Sequence, residues 1–216
     1  MSMLDNTAFD TAIKNMSYDE QLISKLHQGE IDSFFRFYNW NNISVTQSIN
    51  RAIESEFVGV DHSYRITGGG LVFHCPGDIV FSIGNRIKHN VLPQKLKERC
   101  QWLAKFLTSC LTNLNVPVNV IGDVKGKNQN INFCSSYHNP YEVALGSDKV
   151  IGLALKKTKY WIVFQGVIHM SKTADYFKDF TNYDQYFTNG ILSKAKVESE
   201  LLYHEILSQL THLKLI

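Results

Sequence analysis

The sequence has 216 residues, of which 44% are hydrophobic, 12% aromatic and 19% charged. That is the composition of one globular domain whose core needs no disulfide or metal staple, and it excludes a disordered chain. Twenty-two Lys and Arg against 20 Asp and Glu leave a formal net charge of +2, which argues against a surface devoted to nucleic acid.

The longest apolar runs, residues 160–168 and 71–73, fall far short of the roughly 20 residues a bilayer crossing needs. The first 15 residues carry Asp5 and Asp10 with a single lysine, unlike a signal or transit peptide. Cys75, Cys100, Cys110 and Cys134 form no CxxC pair and no metal-ligand rhythm, so a cytoplasmic protein with reduced thiols is expected, with no bound metal and no membrane partner.

Along the chain, residues 19–26 read as a short helix, with Leu22, Ile23 and Leu26 at helical spacing after a polar start. Residues 34–38 and 43–45 read as strands split by the polar turn 39–42, and residues 71–73 and 79–83 as strands split by Pro76-Gly77. The clearest helix begins at Pro93 and sets Leu96, Cys100, Leu103, Leu107, Cys110, Leu111 and Leu114 on one face. Cys100 and Cys110 are therefore expected to be small core hydrophobes. Strand-like runs follow at 118–121, 131–133, 141–145, 150–155 and 161–168, and a last amphipathic helix at 195–213. This order predicts a single α+β domain over residues 1–216, with a mixed, largely antiparallel sheet flanked by helices.

Two stretches could carry chemistry. In Arg65-Ile66-Thr67-Gly68-Gly69-Gly70-Leu71-Val72-Phe73-His74, consecutive glycines let a backbone approach a ligand and offer it amide N–H groups, and Arg65 adds a fixed positive charge. Taken alone, the triplet is equally a flexible turn; no Gly-Lys-Ser/Thr follows, so it is not a Walker loop. In the second stretch, Lys149 follows a hairpin-like turn and is expected at a strand edge, where most lysines are solvated. Upstream, Cys134 lies in a segment without core periodicity; a thiol near an ammonium is a better nucleophile, although spacing alone leaves a buried inert thiol equally open. His138 is read as a surface residue, and the aromatic stretch 176–187 as either a loop over a pocket or a surface for a partner.

Together these segments resemble the lipoate–protein ligase and octanoyltransferase superfamily, distantly akin to biotin–protein ligases. Asp19-Glu20, Arg36-Phe37-Tyr38-Asn39-Trp40 and Ser44-Val45-Thr46-Gln47 follow the family's opening. Arg65 to His74 follow its Arg-x-x-Gly-Gly-Gly-x-Val-Phe-His, and Lys149, Gly152 and Ala154 its Lys-x-x-Gly-x-Ala. Cys75, Pro76 and Asp78 depart from the ligase pattern, Leu153 stands where Ser is common, and Gln165-Gly166 replaces the usual His-Gly.

The resemblance implies a biotin/lipoate ligase-like catalytic domain that transfers an octanoyl or lipoyl group to a lysine of lipoyl domains. The partners implied are lipoyl domains of 2-oxoacid dehydrogenase complexes or the glycine cleavage H protein, with acyl carrier protein as a possible donor. It makes Lys149 the group that holds the reacting carbonyl, and Arg65, Gly68, Gly69, Gly70, His74, Gly152 and Ala154 substrate-binding. Cys134, 15 residues before Lys149, corresponds to the nucleophile of cysteine-dependent transferases, which form a thioester and need no tightly bound cofactor. With roughly 60 residues after the lysine motif, no accessory C-terminal domain is expected. The alternatives implied are an ATP- and Mg²⁺-dependent ligase acting through lipoyl-adenylate, and a degenerate acyl-binding member without turnover.

Overall fold

The computed structural model describes residues 1–88, 92–93, 95–122, 133–134, 140–192 and 195–216. A seven-stranded sheet runs in the order β1 (Ser2–Asp5), β2 (Ser33–Asn39), β6 (Ile79–Arg86), β10 (Trp161–Ile168), β9 (Asp148–Lys157), β8 (Val143–Leu145), β7 (Asn119–Val120). Only the pair β1 and β2 is parallel. A three-stranded sheet of β4 (Asp61–Arg65), β3 (Ser44–Ser48) and β5 (Val72–His74) is laid beside it. The α+β class and the antiparallel bias follow the sequence expectation.

Alternation along the central strands explains the layering. On β2 and β10, Phe35, Phe37, Ile162, Phe164 and Ile168 join the core shared with α2 (Leu96–Asn113) and α3 (Ser199–His212). The intervening Phe34, Trp161 and Val163 pack with Leu22, Ile23 and Leu26 of α1 (Ala12–Gln28) on the opposite face. A sheet covered on both faces needs near-continuous apolar strands, and β10 supplies one. Burying each such side chain contributes about 1.5–3 kcal/mol.

Helix α1 starts earlier than expected. Thr11 caps it by accepting from the Lys14 N–H, and Gly29, at φ 84°, closes it. Its first turns bury Ala12, Asn15 and Met16. Helix α2 begins at Leu96 rather than Pro93; Cys100, Leu103, Leu107, Cys110 and Leu111 of the expected stripe are in the core, whereas Leu96 is exposed. Strands β1 and β4 were not expected from the sequence. Among the described residues, no helix is long and apolar enough to cross a membrane.

Candidate active site

Lys149 is not a solvated edge lysine. Gly146 takes the left-handed turn (φ 65°) between β8 and β9, and β9 is an interior strand flanked by β8 and β10. Lys149 is only 7% exposed, and its ammonium lies 2.7 Å from the fully buried Glu142 carboxylate. A buried ammonium without a counter-charge costs several kcal/mol, and Glu142 supplies that charge. The ammonium also donates to the Cys134 carbonyl at 2.6 Å and lies 3.9 Å from the Cys134 sulfur.

Cys134 is held by its backbone. Phe133 forms a parallel bridge to Leu71, and the Cys134 N–H donates to the Leu71 carbonyl at 2.8 Å. This ties the thiol to the entry of β5, beside the glycine loop. Gly152 lies directly beneath it: a Cβ there would sit 3.5 Å from Lys149 Cε and 3.8 Å from Cys134 Sγ. The other cysteines are inert by burial. Desolvation raises the Cys75 thiol far above its ordinary range, with Asp78 adding to it, pushes Cys110 up to about 12, and raises Cys100.

Arg65 braces the glycine loop. Its guanidinium donates to the carbonyls of Thr46 (2.9 Å), Gly68 (3.0 Å) and Gly70 (2.6 Å). Thr67 fixes the loop from the other side by donating to Gln165 (3.0 Å), whose amide donates to the buried Asp19 (2.6 Å). Asp19 in turn accepts from Arg36 at 2.5 Å. Burial raises the Asp19 carboxyl's pKa, while Arg36 and the Gln165 hydrogen bond oppose that shift. Gln165, standing where the family's His is usual, therefore ties α1, β10 and the loop together.

These side chains meet in one cleft between the two sheets. It is lined by Cys134, Lys149, Gly152, Ala154, Arg65 and His74, with Leu71, Val72, Val80, Leu153 and Val167 making an apolar wall and Met16 contributed by α1. The glycines are placed differently. Gly68 and Gly69, the latter at φ 96°, line a second, more open groove with Lys97 and Tyr141, and Gly70 is buried. Leu153 and Ala154 line both spaces.

His74 stacks on Trp40 (ring centroids 4.3 Å apart), and its Nε2 lies 2.8 Å from Thr46 Oγ1. Burial, then the nearby His169 and Arg65, hold its imidazole well below the usual range, so the ring is neutral. Asp78 pins the turn after it: the carboxylate accepts from the backbone of Cys75, Met170 and Ser171 and from His169 Nδ1 at 3.3 Å. Of the aromatic stretch, Tyr186 reaches the cleft while Phe177, Tyr183 and Phe187 pack against the core beneath Phe73 and Phe133. His138 lies outside the described residues. Glu142 and His169 were not singled out in the sequence, because a lone Glu on a short strand and a lone His after one carry no spacing signal.

An apolar slot that ends at a thiol, an ammonium and a glycine is suited to acyl chemistry. The sulfur can attack a carbonyl, and the ammonium can hold the developing oxyanion. The chain is 25% identical over 179 residues to octanoyltransferase LipM of Moorella thermoacetica, covering 79% of this chain and 65% of that relative. It is 26% identical over 214 residues to octanoyltransferase LipM of Staphylococcus aureus, covering 93% and 77%. A T. acidophilum protein solved with bound lipoic acid shares the fold at a TM-score of 0.77 and 14% identity, over 100% of this chain and 86% of that one. The family model for the lipoyl protein ligase A/B catalytic domain matches residues 11–201, and the chain belongs to that family.

Proposed function

We propose that this protein transfers an octanoyl or lipoyl group to a lysine of a lipoyl domain through a thioester on Cys134. The observation that carries the reading is the placement of the Cys134 sulfur 3.9 Å from the Lys149 ammonium in a cleft with an apolar wall. Relatives named octanoyltransferase LipM support it, although the chain spans only 65% of the first of them.

In the first step the Cys134 thiolate attacks the carbonyl of an acyl thioester donor, such as an acyl carrier protein. The Lys149 ammonium and nearby backbone donors stabilise the oxyanion, the donor's C–S bond breaks, and the donor thiol leaves with the proton Cys134 gave up. In the second step the acceptor lysine's amine attacks the Cys134 thioester, the amide forms, and the free thiol is restored. Arg65 and Gln165 hold the loop that walls the cleft, and Gly152 leaves room for the reacting carbonyl. No tightly bound cofactor enters either step.

The test is an apo lipoyl domain incubated with the protein and octanoyl-carrier protein without ATP, and separately with free lipoate, ATP and Mg²⁺. Modification in the first mixture is expected. Modification only in the second would replace the transferase with an ATP-dependent ligase, and silence in both would leave an acyl-binding protein without turnover.

A further inference from the structure

The second step has a proton to place. An acceptor lysine, with a side-chain pKa of about 10.4, arrives as an ammonium and cannot attack until it is deprotonated. Lys149 is poorly placed to take that proton, because its own ammonium is already committed to Glu142 and to the Cys134 carbonyl. Glu142 is fully buried, and His74 stacks on Trp40 with its Nε2 engaged by Thr46.

One group in the cleft has the geometry of a base. His169 is the next residue on the alternation of Gln165 and Val167, the cleft-lining face of β10, and its own side chain lines the cleft. Its backbone N–H donates to the Val150 carbonyl at 2.8 Å, which sets it across from the residue after Lys149. Its Nδ1 lies 3.3 Å from the Asp78 carboxylate. A carboxylate only accepts, so in the neutral ring Nδ1 carries the proton and Nε2 the lone pair. Nε2 has no protein partner among the described residues. Asp78 is itself locked by three backbone N–H groups, so the ring is aimed by a rigid acceptor.

We propose that His169, oriented by Asp78, is the general base of the second step, accepting at Nε2 the proton of the acceptor lysine. The balance is simple. The lysine ammonium loses a proton to His169, and the free amine attacks the Cys134 thioester carbonyl. The C–S bond then breaks, the sulfur takes one of the amine's two protons while the other stays on the amide nitrogen, and His169 releases its proton to water. Asp78 is a positioning residue in this scheme. The inference rests on the Cys134 thioester reading.

The variant that tests it is His169→Asn, whose amide can still donate to Asp78 from the Nδ1 position but has no counterpart of Nε2. Three rates are followed by intact mass spectrometry: acylation of Cys134 by octanoyl-carrier protein, transfer to an apo lipoyl domain, and transfer to hydroxylamine. Hydroxylamine is neutral at pH 7 and needs no base. Acylation and hydroxylamine transfer should match the wild type, while transfer to the lipoyl domain should fall about 100-fold, the low end for losing a general base. Unchanged transfer to the lipoyl domain would overturn the proposal, as would a parallel loss of all three rates, which marks a structural role. Absence of any thioester on the wild-type protein would overturn the thioester reading and this inference with it.

Discussion

Of four buried cysteines, only Cys134 faces the cleft containing the Lys149 ammonium, so Cys134→Ala should abolish thioester formation and transfer while Cys75→Ala leaves both intact. Mass spectrometry of the two variants after exposure to the acyl donor checks this. Lys149→Met keeps the volume but removes the charge, and turnover should drop roughly 100-fold or more, the cost of losing an oxyanion donor. Glu142→Gln removes the carboxylate charge 2.7 Å from the buried Lys149 ammonium, which should cost about 3 kcal/mol of stability in a denaturant melt. The burial of Lys149 could not be read from its own neighbourhood. A lysine after a turn is ordinarily solvated, and the carboxylate that makes burial tolerable comes from the segment before β8.

At the scale of elements, two glycines on adjacent strands make opposite predictions. Gly166 on β10 faces backbone: an added Cβ would lie 2.4 Å from the Gly152 carbonyl oxygen and 2.3 Å from the Phe81 ring. Gly166→Ala should therefore destabilise the sheet by about 1–3 kcal/mol, read as a lowered melting temperature. Gly152 on β9 has ordinary contact distances around it, so Gly152→Ala should fold normally. Its methyl would touch both Lys149 and Cys134, and acyl transfer should fall while the melting temperature holds. Strand β10 was legible to the residue because it is apolar on both faces, and α2 because its stripe is regular. Strand β4, Asp-His-Ser-Tyr-Arg, has no apolar alternation and was not legible. Its inward residues are Ser63 and Arg65, paired with polar β3 around the cleft. The first turns of α1 were missed for a similar reason, since the buried Asn15 is satisfied by the Phe9 and Thr11 carbonyls rather than by apolar packing.

For the molecule as a whole, the site is a seam between two sheets, and the seam should be acid-sensitive. His74 sits in it neutral, its imidazole held well below the usual range first by burial. The unfolded chain binds a proton at this position below about pH 6.5, whereas the folded chain does not until lower pH. Stability from this group is therefore complete above pH 6.5 and declines as pH falls from there toward the depressed folded value. The melting temperature should drop between pH 7.5 and pH 5.5, and His74→Gln should flatten that drop. The sequence placed Arg65, His74, Cys134, Lys149, Gly152 and Ala154 in one site through motif order, and one cleft holds them. It did not reveal that Arg65 is occupied by loop carbonyls or that Gly68 and Gly69 face a separate groove, because motif order carries no information about side-chain partners.

The central claim is a covalent one, and peptide mapping tests it most directly. The wild-type protein is incubated with octanoyl-carrier protein in the absence of ATP, quenched in acid, digested and analysed by mass spectrometry. A single octanoyl group on the peptide containing Cys134, discharged when apo lipoyl domain is added, is the expected result. Octanoylated lipoyl domain formed at full rate by the Cys134→Ala variant would contradict the account.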